Sequence, residues 1–357
     1  MVGPSVPIVI PAVHPDDGLP ALVSELLGRG VSRIVVVDDG SGDIHHRVFE
    51  RCRELGAEVL AHDENLGKGS ALKDAFLYLL LGASPIIGCV TADADGQHIA
   101  DDIIAVAEEF MRQDAKSLVL GVRDMGVEGI PRQSRFGNRF INACLRLFCG
   151  LKLTDSQTGL RGIPEELMSR CLDLEGDHFE FETQMLLLCQ RDTPVVEVPI
   201  ATVYDSVDQH KTHFKPIVDS LRVVYVTIRT FMGFSATSIA TTAIDILLFG
   251  LLSTEFRHAG IVLWAALATV LARVVSASLN FAINRRRVFQ TGGDVHSQAR
   301  RFVAVAVAQM LLSALLVQGL APLFPQAAAM LVKLAVDLVL FLANYQVQMR
   351  LVFSKPK

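Results

Sequence analysis

The sequence is poor in the features that mark disulfide-bonded, zinc-binding or dinucleotide-binding proteins. It has six cysteines in 357 residues, all of them before residue 190, and none forms a CxxC pair. Disulfide frameworks and zinc sites need paired cysteines at short spacing, so this pattern predicts reduced, packed thiols. None of the predicted strands ends in a GxGxxG loop, which speaks against a dinucleotide site.

The start of the chain also lacks basic charge. Met1–Ile10 contains no lysine or arginine, and its short apolar stretch ends at Pro11. A cleaved signal peptide combines a basic start with a longer apolar core, so none is predicted here. We therefore expect the N-terminal part of the protein to stay in the cytoplasm.

Acidic residues become scarce after Arg229. Residues 230–357 contain 11 Lys+Arg and 4 Asp+Glu, whereas residues 1–229 contain 22 and 34. The mean hydropathy of +0.39 and the 51% hydrophobic content are too high for an ordinary soluble protein, and the excess lies in the second half. The composition predicts a soluble part followed by a membrane part, with no nucleic-acid partner.

Short apolar runs alternate with helix-like segments in the first 91 residues. The runs are Val6–Ile10, Ile34–Val37 and Ile86–Thr91, and the helix-like segments are Leu19–Arg29, His45–Leu55 and Gly69–Leu81. This alternation predicts a parallel sheet covered by helices. Ligands of such sheets bind at the carboxyl ends of the strands.

The predicted strand ends carry carboxylates. Asp38 and Asp39 follow one run, and Asp93, Asp95 and Gln97 follow another. Hard oxygen ligands on a strand-end loop can hold Mg2+ or Mn2+ against a diphosphate, which suits a nucleoside diphosphate sugar. The alternative for an isolated DxD sequence is an acidic turn that only faces solvent.

Ordered motifs over about 215 residues resemble glycosyltransferase family 2. They are Ile10–Ala12, Val36–Ser41, Asn65–Lys73, Asp93–His98, Gly121–Asp124, Ser134–Arg139, Asp155–Arg161, Phe179–Glu182, His213–Pro216 and Asp219–Arg222. The match is to the polyprenyl-phosphate branch, which includes dolichol-phosphate mannose synthases. The resemblance implies an α/β GT-A fold, Rossmann-like with a mostly parallel sheet, and an inverting, metal-dependent hexosyl transfer.

The resemblance also implies roles for individual residues. The catalytic residues would be Asp93, Asp95 and Arg123, and the metal ligands Asp95 and Gln97. The donor would be bound by Pro11, Asp16, Asp17, Asp39, Lys68 and Asp93, and the acceptor phosphate by Arg123, Arg132, Arg135 and Arg139. The arginines on the predicted helix could instead form a solvated basic face.

The chain departs from the family pattern in one place. The family usually has Tyr-Asn-Glu or a close variant after Ile-Pro-Ala, where this sequence has Val13–Asp17. We expect Asp16 or Asp17 to replace the usual acid.

The chemistry of the acceptor needs cations more than it needs a base. A polyprenyl monophosphate is mostly a dianion at pH 7, because its second pKa is about 6, so its oxygen can attack without a general base. Cationic side chains must hold that dianion beside an anionic donor.

Two segments have apolar residues at helical spacing with basic residues beside them. Phe136–Phe148 and Ile217–Phe231 could each lie in the membrane interface or pack on the core of the soluble domain. We therefore expect a catalytic domain over residues 1–207, an interface helix over 208–231 and a membrane domain over 232–357.

Four apolar spans follow, each near the roughly 20 residues that a transmembrane helix needs. They cover about 233–253, 260–283, 302–321 and 328–348. The loop from Asn284 to Arg301 holds five arginines, whereas the connections on the other side hold little charge. The positive-inside rule then places both termini and the catalytic domain in the cytoplasm, with the spans in the plasma (inner) membrane.

The membrane part contains a repeat. Asn280–Phe289 matches Asn344–Phe353 at an offset of 64, and the NFxxNRxxVF pattern resembles GtrA-like membrane domains. Four charged residues lie inside the spans, and because burial of charge in a bilayer is costly, we expect them to face one another. They are Asp245, Arg273, Lys333 and Asp337, of which Arg273 and Asp337 are predicted to pair. A path for a lipid phosphate is the functional alternative to a structural lock.

The sequence therefore predicts transfer of a sugar from a UDP- or GDP-sugar to undecaprenyl or dolichyl phosphate. The protein could act as a monomer or as a homo-oligomer. A processive polysaccharide synthase of the same fold would need the tryptophan of a QxxRW motif, and the single tryptophan, Trp264, lies within a span. A membrane transporter or flippase of lipid-linked sugar with an inactive transferase-like domain remains the alternative.

Overall fold

The computed structural model describes residues 6–126, 130, 132–189, 192–201, 216–320 and 329–353. It divides into two compact units, residues 1–227 and 228–357.

The first unit is built on a seven-stranded sheet. Its strands are β1 (Ile8–Ala12), β2 (Ile34–Asp38), β3 (Glu58–Ala61), β4 (Gly88–Thr91), β5 (Leu118–Arg123), β6 (Arg161–Pro164) and β7 (Val195–Ile200). Its helices are α1 (Gly18–Gly28), α2 (His46–Leu55), α3 (Lys68–Leu81), α4 (Ala100–Arg112), α5 (Arg132–Cys144), α6 (Glu165–Cys171) and α7 (Glu180–Cys189).

The strand order is β3-β2-β1-β4-β6-β5-β7, and only β6 runs antiparallel to its neighbours. Two separate apolar clusters cover the sheet, one centred on α3, α6 and α7 and the other on α1 and α4. This arrangement confirms the predicted mostly parallel α/β fold. β2 and β3 lie on one side of β1, and the strands from β4 onward lie on its other side. This topological switch point between β1 and β4 opens a crevice at the carboxyl ends of these two strands.

Local signals explain several helix boundaries. α2 ends at Gly56, whose positive φ of 105° suits a left-handed C-terminal residue. α4 has Asp101 and Asp102 in its first turn and Arg112 in its last, where these charges complement the helix dipole. The three strands and three helices predicted in the first 91 residues are present, with ends shifted by one or two residues.

Four long apolar helices follow among the described residues: α8 (Pro216–His258), α9 (Trp264–Ile283), α10 (Val295–Leu320) and α11 (Ala329–Val347). Of these, α8 begins before residue 228, and the other three lie wholly in the second unit. In the part of the chain that the structure describes, four stretches are long and apolar enough to cross a membrane, Asp219–His258, Leu267–Val288, Val295–Leu320 and Leu331–Val352. The protein is therefore an integral membrane protein. The expected interface helix and first span form one continuous helix from Pro216, while residues 208–215 lie outside the described residues.

The repeat is visible in the structure. Each hairpin ends in a π-helical turn, Asn284–Val288 in the first and Gln348–Val352 in the second, at the offset of 64. Phe289 and Phe353, which follow these turns, stack with ring centroids 4.9 Å apart.

The predicted pair between Arg273 and Asp337 is wrong. A guanidinium nitrogen of Arg273 lies 3.2 Å from Asp245, and Lys333 lies 2.9 Å from Asp337. Each acid also accepts a hydrogen bond from a serine on the other helix of its hairpin, Asp245 from Ser276 and Asp337 from Ser313. Each charged pair thus forms within one hairpin. Asp245 on α8 finds its partner on α9, and Asp337 finds its partner one turn earlier on its own helix, α11.

Candidate active site

The predicted catalytic residues lie at the carboxyl ends of β4 and β5, beside the start of the antiparallel strand β6. In the antiparallel β4–β6 pair Thr91 is opposite Arg161, so Asp93, two residues beyond β4, faces Gly159. A Cβ atom at position 159 would lie 2.4 Å from the Asp93 carboxylate, so only glycine allows this approach. The Thr91 hydroxyl holds the two loops together by donating to the Gly159 carbonyl at 2.8 Å.

Asp93 forms a buried charge cluster with Lys68 and Glu182. The Lys68 ammonium lies 2.7 Å from Asp93 and 3.0 Å from Glu182, and the lysine side chain is only 15% exposed. Burial alone would raise the pKa of Asp93, but its attraction to Lys68, the hydrogen bond from Lys68 and smaller contributions of His98 and Arg123 together outweigh burial and hold this pKa well below its usual range. Burial would likewise lower the pKa of Lys68, and the two carboxylates raise it instead. Asp93 and Lys68 are therefore both charged at neutral pH.

Asp95 and Gln97 lie next to this cluster, on an exposed turn. Gln97 donates to the Asp95 carboxylate from its backbone N–H at 3.1 Å and from its side-chain amide at 2.9 Å. Desolvation by the surrounding protein and the neighbouring charge of Asp93 raise the pKa of Asp95. His98, behind the turn, is buried and accepts from the Asp93 backbone N–H at 2.9 Å, and burial lowers its pKa.

The donor set of this turn fits a hard divalent cation. Asp95 supplies carboxylate oxygens and Gln97 an amide oxygen, the ligand types that Mg2+ and Mn2+ prefer. Within the described residues no group of three His, Cys, Asp or Glu side chains could hold a metal by itself. Mg2+ commonly takes only one or two protein ligands and completes its shell with phosphate oxygens and water, so the turn suits a metal that arrives with a diphosphate.

Arg123 forms a bidentate ion pair with the fully buried Asp155. The Nε atom donates to Asp155 at 2.7 Å and an Nη atom at 3.2 Å, while the other Nη atom lies 3.4 Å from the Gln97 side-chain oxygen. Asn138 of α5 donates to the same carboxylate. Arg123 thus connects the predicted metal turn to the loop that precedes β6.

The other predicted acceptor residues lie on α5. Arg135 is half-buried and, three residues before Asn138, lies on the helix face that contacts Asp155. Arg139 is exposed, and the side chain of Arg132 lies outside the described residues. The structure therefore places Arg135 on the face of α5 that contacts Asp155 and leaves Arg139 on the surface.

The predicted donor residues occupy the ends of β1 and β2. Asp39 is buried, and its carboxylate already accepts from the backbone N–H groups of Leu66 and Gly67 at 2.9 and 3.0 Å. It therefore holds the loop before Lys68. Pro11 is buried within β1, Asp16 accepts from the Gly18 backbone N–H at 2.8 Å, and Asp17 pairs with Arg51.

The departure at Val13–Asp17 produces a pair of imidazoles. His14 adopts a positive φ of 49°, and its ring lies 5.1 Å from that of His45. The His14 backbone N–H donates to the Ser41 hydroxyl at 3.0 Å, which ties the ends of β1 and β2 together.

Sequence reasoning missed Glu182 and Asp155 as site residues, although both lie in motifs that carry the resemblance. Glu182 shares Lys68 with Asp93, and Asp155 orients Arg123. Arg161, also in a motif, is buried and donates to the carbonyls of Thr158 and Glu182 at 2.9 and 2.7 Å, so it supports the site from behind.

Comparisons with known proteins agree with the two units. Residues 8–167 match the glycosyl transferase family 2 model, and residues 230–353 match the model of the GtrA/DPMS transmembrane domain. An uncharacterized protein of Methanocaldococcus jannaschii is 32% identical over 202 residues, which cover 55% of this chain and 81% of that protein. The UDP-N-acetylglucosamine–dolichyl-phosphate N-acetylglucosaminyltransferase of Methanococcus voltae is 29% identical over 220 residues, 55% of this chain and 85% of that protein.

Among solved structures, glucosyl-3-phosphoglycerate synthase of Mycobacterium tuberculosis in complex with Mg2+ and UDP aligns with a TM-score of 0.48 at 18% identity. The alignment covers 64% of this chain and 79% of that one.

Proposed function

The chain belongs to glycosyl transferase family 2 and carries a GtrA/DPMS transmembrane domain, and from this premise we propose that it glycosylates a lipid phosphate. The protein is a glycosyltransferase that acts on nucleotide sugars. We propose that it transfers a hexosyl group, with inversion, from a UDP- or GDP-sugar to undecaprenyl or dolichyl phosphate at the cytoplasmic face of the membrane.

The observation that carries this proposal is the charge arrangement at the carboxyl ends of β4 and β5. Asp95 and Gln97 form a turn suited to a divalent cation, Lys68 lies within 3 Å of Asp93, and Arg123 borders the turn. An anionic diphosphate and an anionic acceptor both need such positive charge nearby. The dolichyl phosphate in the name of the Methanococcus voltae relative supports a lipid phosphate as the acceptor.

The proposed chemistry assigns these residues separate tasks. Asp95 and Gln97 would hold Mg2+ or Mn2+, which when bound offsets the negative charge that grows on the departing diphosphate. Lys68 would orient the donor, since its ammonium can turn from Asp93 to an oxygen of the diphosphate. Arg123, fixed by Asp155, and Arg135 would position the acceptor phosphate dianion for attack on the anomeric carbon.

The membrane domain suits the acceptor, because a polyprenyl chain is confined to the bilayer. The loop between the second and third spans carries the arginines at positions 285–287, 300 and 301. By the positive-inside rule this loop, and with it both termini, would be cytoplasmic, where nucleotide sugars are made available.

The test is transfer by the purified full-length protein. Undecaprenyl or dolichyl phosphate is incubated with a panel of UDP- and GDP-sugars, with Mg2+, with Mn2+ or with chelator, and the lipid product and its anomeric configuration are determined. We expect one donor class to give an inverted, metal-dependent lipid product. Asp95→Asn, which changes a proposed metal ligand, should lose the product. Asp101→Asn, which changes an exposed carboxylate on α4, is its matched control and should keep the product.

Two negative results would have different meanings. Nucleotide-sugar binding without any lipid product would refute the acceptor class. Absence of nucleotide-sugar binding would refute the transferase assignment and favour a transporter with an inactive domain.

A further inference from the structure

His62 occupies an unusual position directly after β3, between two carboxylates. Its Nδ1 atom lies 2.9 Å from Asp39 and its Nε2 atom 2.9 Å from Asp74, while its side chain is only 8% exposed. Each ring nitrogen thus lies within hydrogen-bond distance of a different carboxylate. The ring therefore bridges the end of β2 to the second turn of α3.

Asp39, the partner of His62 directly after β2, also holds the loop that leads to Lys68. The same Asp39 carboxylate accepts from the backbone N–H groups of Leu66 and Gly67. Gly67 has a positive φ of 100°, and a Cβ atom there would lie 2.1 Å from the His178 ring, so the loop has little room for another path. Lys68 follows immediately, begins α3 and contacts Asp93.

The partner on α3 completes the connection. Asp74 lies six residues after Lys68 on the same helix, and it lines a surface cavity of about 570 Å3 together with Leu60, Leu77 and Tyr78. His62 thus holds α3 at two points, at its second turn through Asp74 and at its start through Asp39. The position of the Lys68 ammonium depends on both.

We propose that His62 is a positioning residue for the nucleotide-sugar site, acting through Asp39 and the Leu66–Gly67 backbone to place Lys68 against Asp93. The inference rests on the proposed function, because it assigns Lys68 to the donor. His62 itself contacts neither substrate. Its loss should therefore affect the donor and leave the acceptor site, built on β5 and α5, unchanged.

The experiment compares four variants of the full-length protein with wild type: His62→Ala, His62→Asn, Asp74→Asn and the control His46→Ala. His46 is an exposed histidine that pairs with a carboxylate of its own helix, α2. For the donor that the wild-type protein turns over, KM for donor and acceptor and kcat are measured separately, and donor binding is measured by calorimetry.

We expect His62→Ala to raise the donor KM and Kd roughly tenfold or more, the usual scale for a lost hydrogen bond to a carboxylate, with the acceptor KM within about twofold. His62→Asn keeps an N–H that can donate to Asp39 and should recover part of the loss. Asp74→Asn keeps an acceptor for Nε2 and should raise the donor KM least among the three variants of the His62 contacts. The control His46→Ala should behave as wild type.

An unchanged donor KM in folded His62→Ala would overturn the proposal, as would equal increases in both KM values. If His62→Ala does not fold, a donor KM in His62→Asn and Asp74→Asn equal to that of wild type would overturn it in the same way. A wild-type protein that binds no nucleotide sugar would instead refute the proposed function itself.

Discussion

Replacing Lys68 with methionine tests the charge cluster at the centre of the site. The ammonium lies 2.7 Å from Asp93 and 3.0 Å from Glu182. With an effective dielectric constant of about 20, each attraction amounts to roughly 6 kcal/mol before the cost of burying the charges. Desolvation cancels much of that gain, but removing one partner of a buried pair typically costs about 3–5 kcal/mol, because the remaining charge is left uncompensated.

The effect on melting temperature follows from the size of the domain. For a domain of this size 1 kcal/mol corresponds to about 2–4 °C, so Lys68→Met should lower the melting temperature by roughly 6–20 °C at pH 8. The expected loss is large enough to separate from ordinary surface substitutions, which change stability by less than about 0.5 kcal/mol.

The loss should depend on pH in a defined direction. In the wild-type protein the charge of Lys68 holds the pKa of Asp93 below its ordinary value, so the stabilising ionisation is complete above about pH 4 and is lost only as the pH falls through the lower, folded-state pKa. In Lys68→Met the attraction and the hydrogen bond of Lys68 are lost, so burial weighs more against the charged form and the pKa of Asp93 rises. The penalty is then relieved when the carboxyl group takes up a proton, so the difference from wild type should shrink from pH 8 to pH 5.

The assay is thermal unfolding of the full-length protein in detergent, with chelator present so that a metal ion cannot replace the ammonium. Lys73→Met is the matched control, since Lys73 is on the same helix and pairs with an exposed carboxylate, Asp177, at 2.9 Å. Such a surface pair contributes no more than about 1 kcal/mol. A Lys68→Met protein that melts within about 2 °C of wild type at pH 8, or whose deficit does not shrink at pH 5, would refute the reasoning.

Three further outcomes are expected. Asp95→Ala should abolish transfer and shift the melting temperature by less than about 2 °C, because it removes a proposed metal ligand from an exposed turn; near-normal turnover in excess Mg2+ or Mn2+ would contradict the metal assignment. Arg123→Lys keeps the charge and loses the fork to Asp155, so transfer should slow at least about tenfold while donor affinity by calorimetry stays within a few fold; a main effect on donor affinity would place Arg123 on the donor side. The double reversal Arg273→Asp with Asp245→Arg should recover part of the thermal stability that each single reversal loses, whereas additive losses would show that the two charges are independent.

Periodicity along the chain predicted the elements of the first 91 residues and the membrane spans. The alternating apolar runs predicted the strands β1, β2 and β4, and the length of the later runs predicted four spans, because both signals are local and repeat at fixed spacing. The later strands and helices of the first unit were not predicted this way. The offset of 64 likewise predicted a repeat, which the structure shows as two π-helical turns. The short edge strand β3 was missed, since four half-buried residues leave no clear alternation.

The site residues themselves were predicted less completely. The strand-end acids were found because their position follows from the strands, and Asp95 with Gln97 forms the turn that their spacing suggested. The prediction that Asp39 contacts the donor remains untested, and the structure shows its carboxylate already bound to the loop at Leu66 and Gly67.

The sequence by itself determined the two-part organisation, the fold class and the strand ends where the chemistry must lie. Only the tertiary structure decided which charges pair, such as Lys68 with Glu182 across 114 residues, Arg123 with Asp155, and Arg273 with Asp245 in place of Asp337. The physical reason is that a hydrophobic period specifies which face of an element is buried. The partner of a charge depends on which elements become neighbours. For Arg123, the antiparallel insertion of β6 between β4 and β5 brings in the loop that carries Asp155.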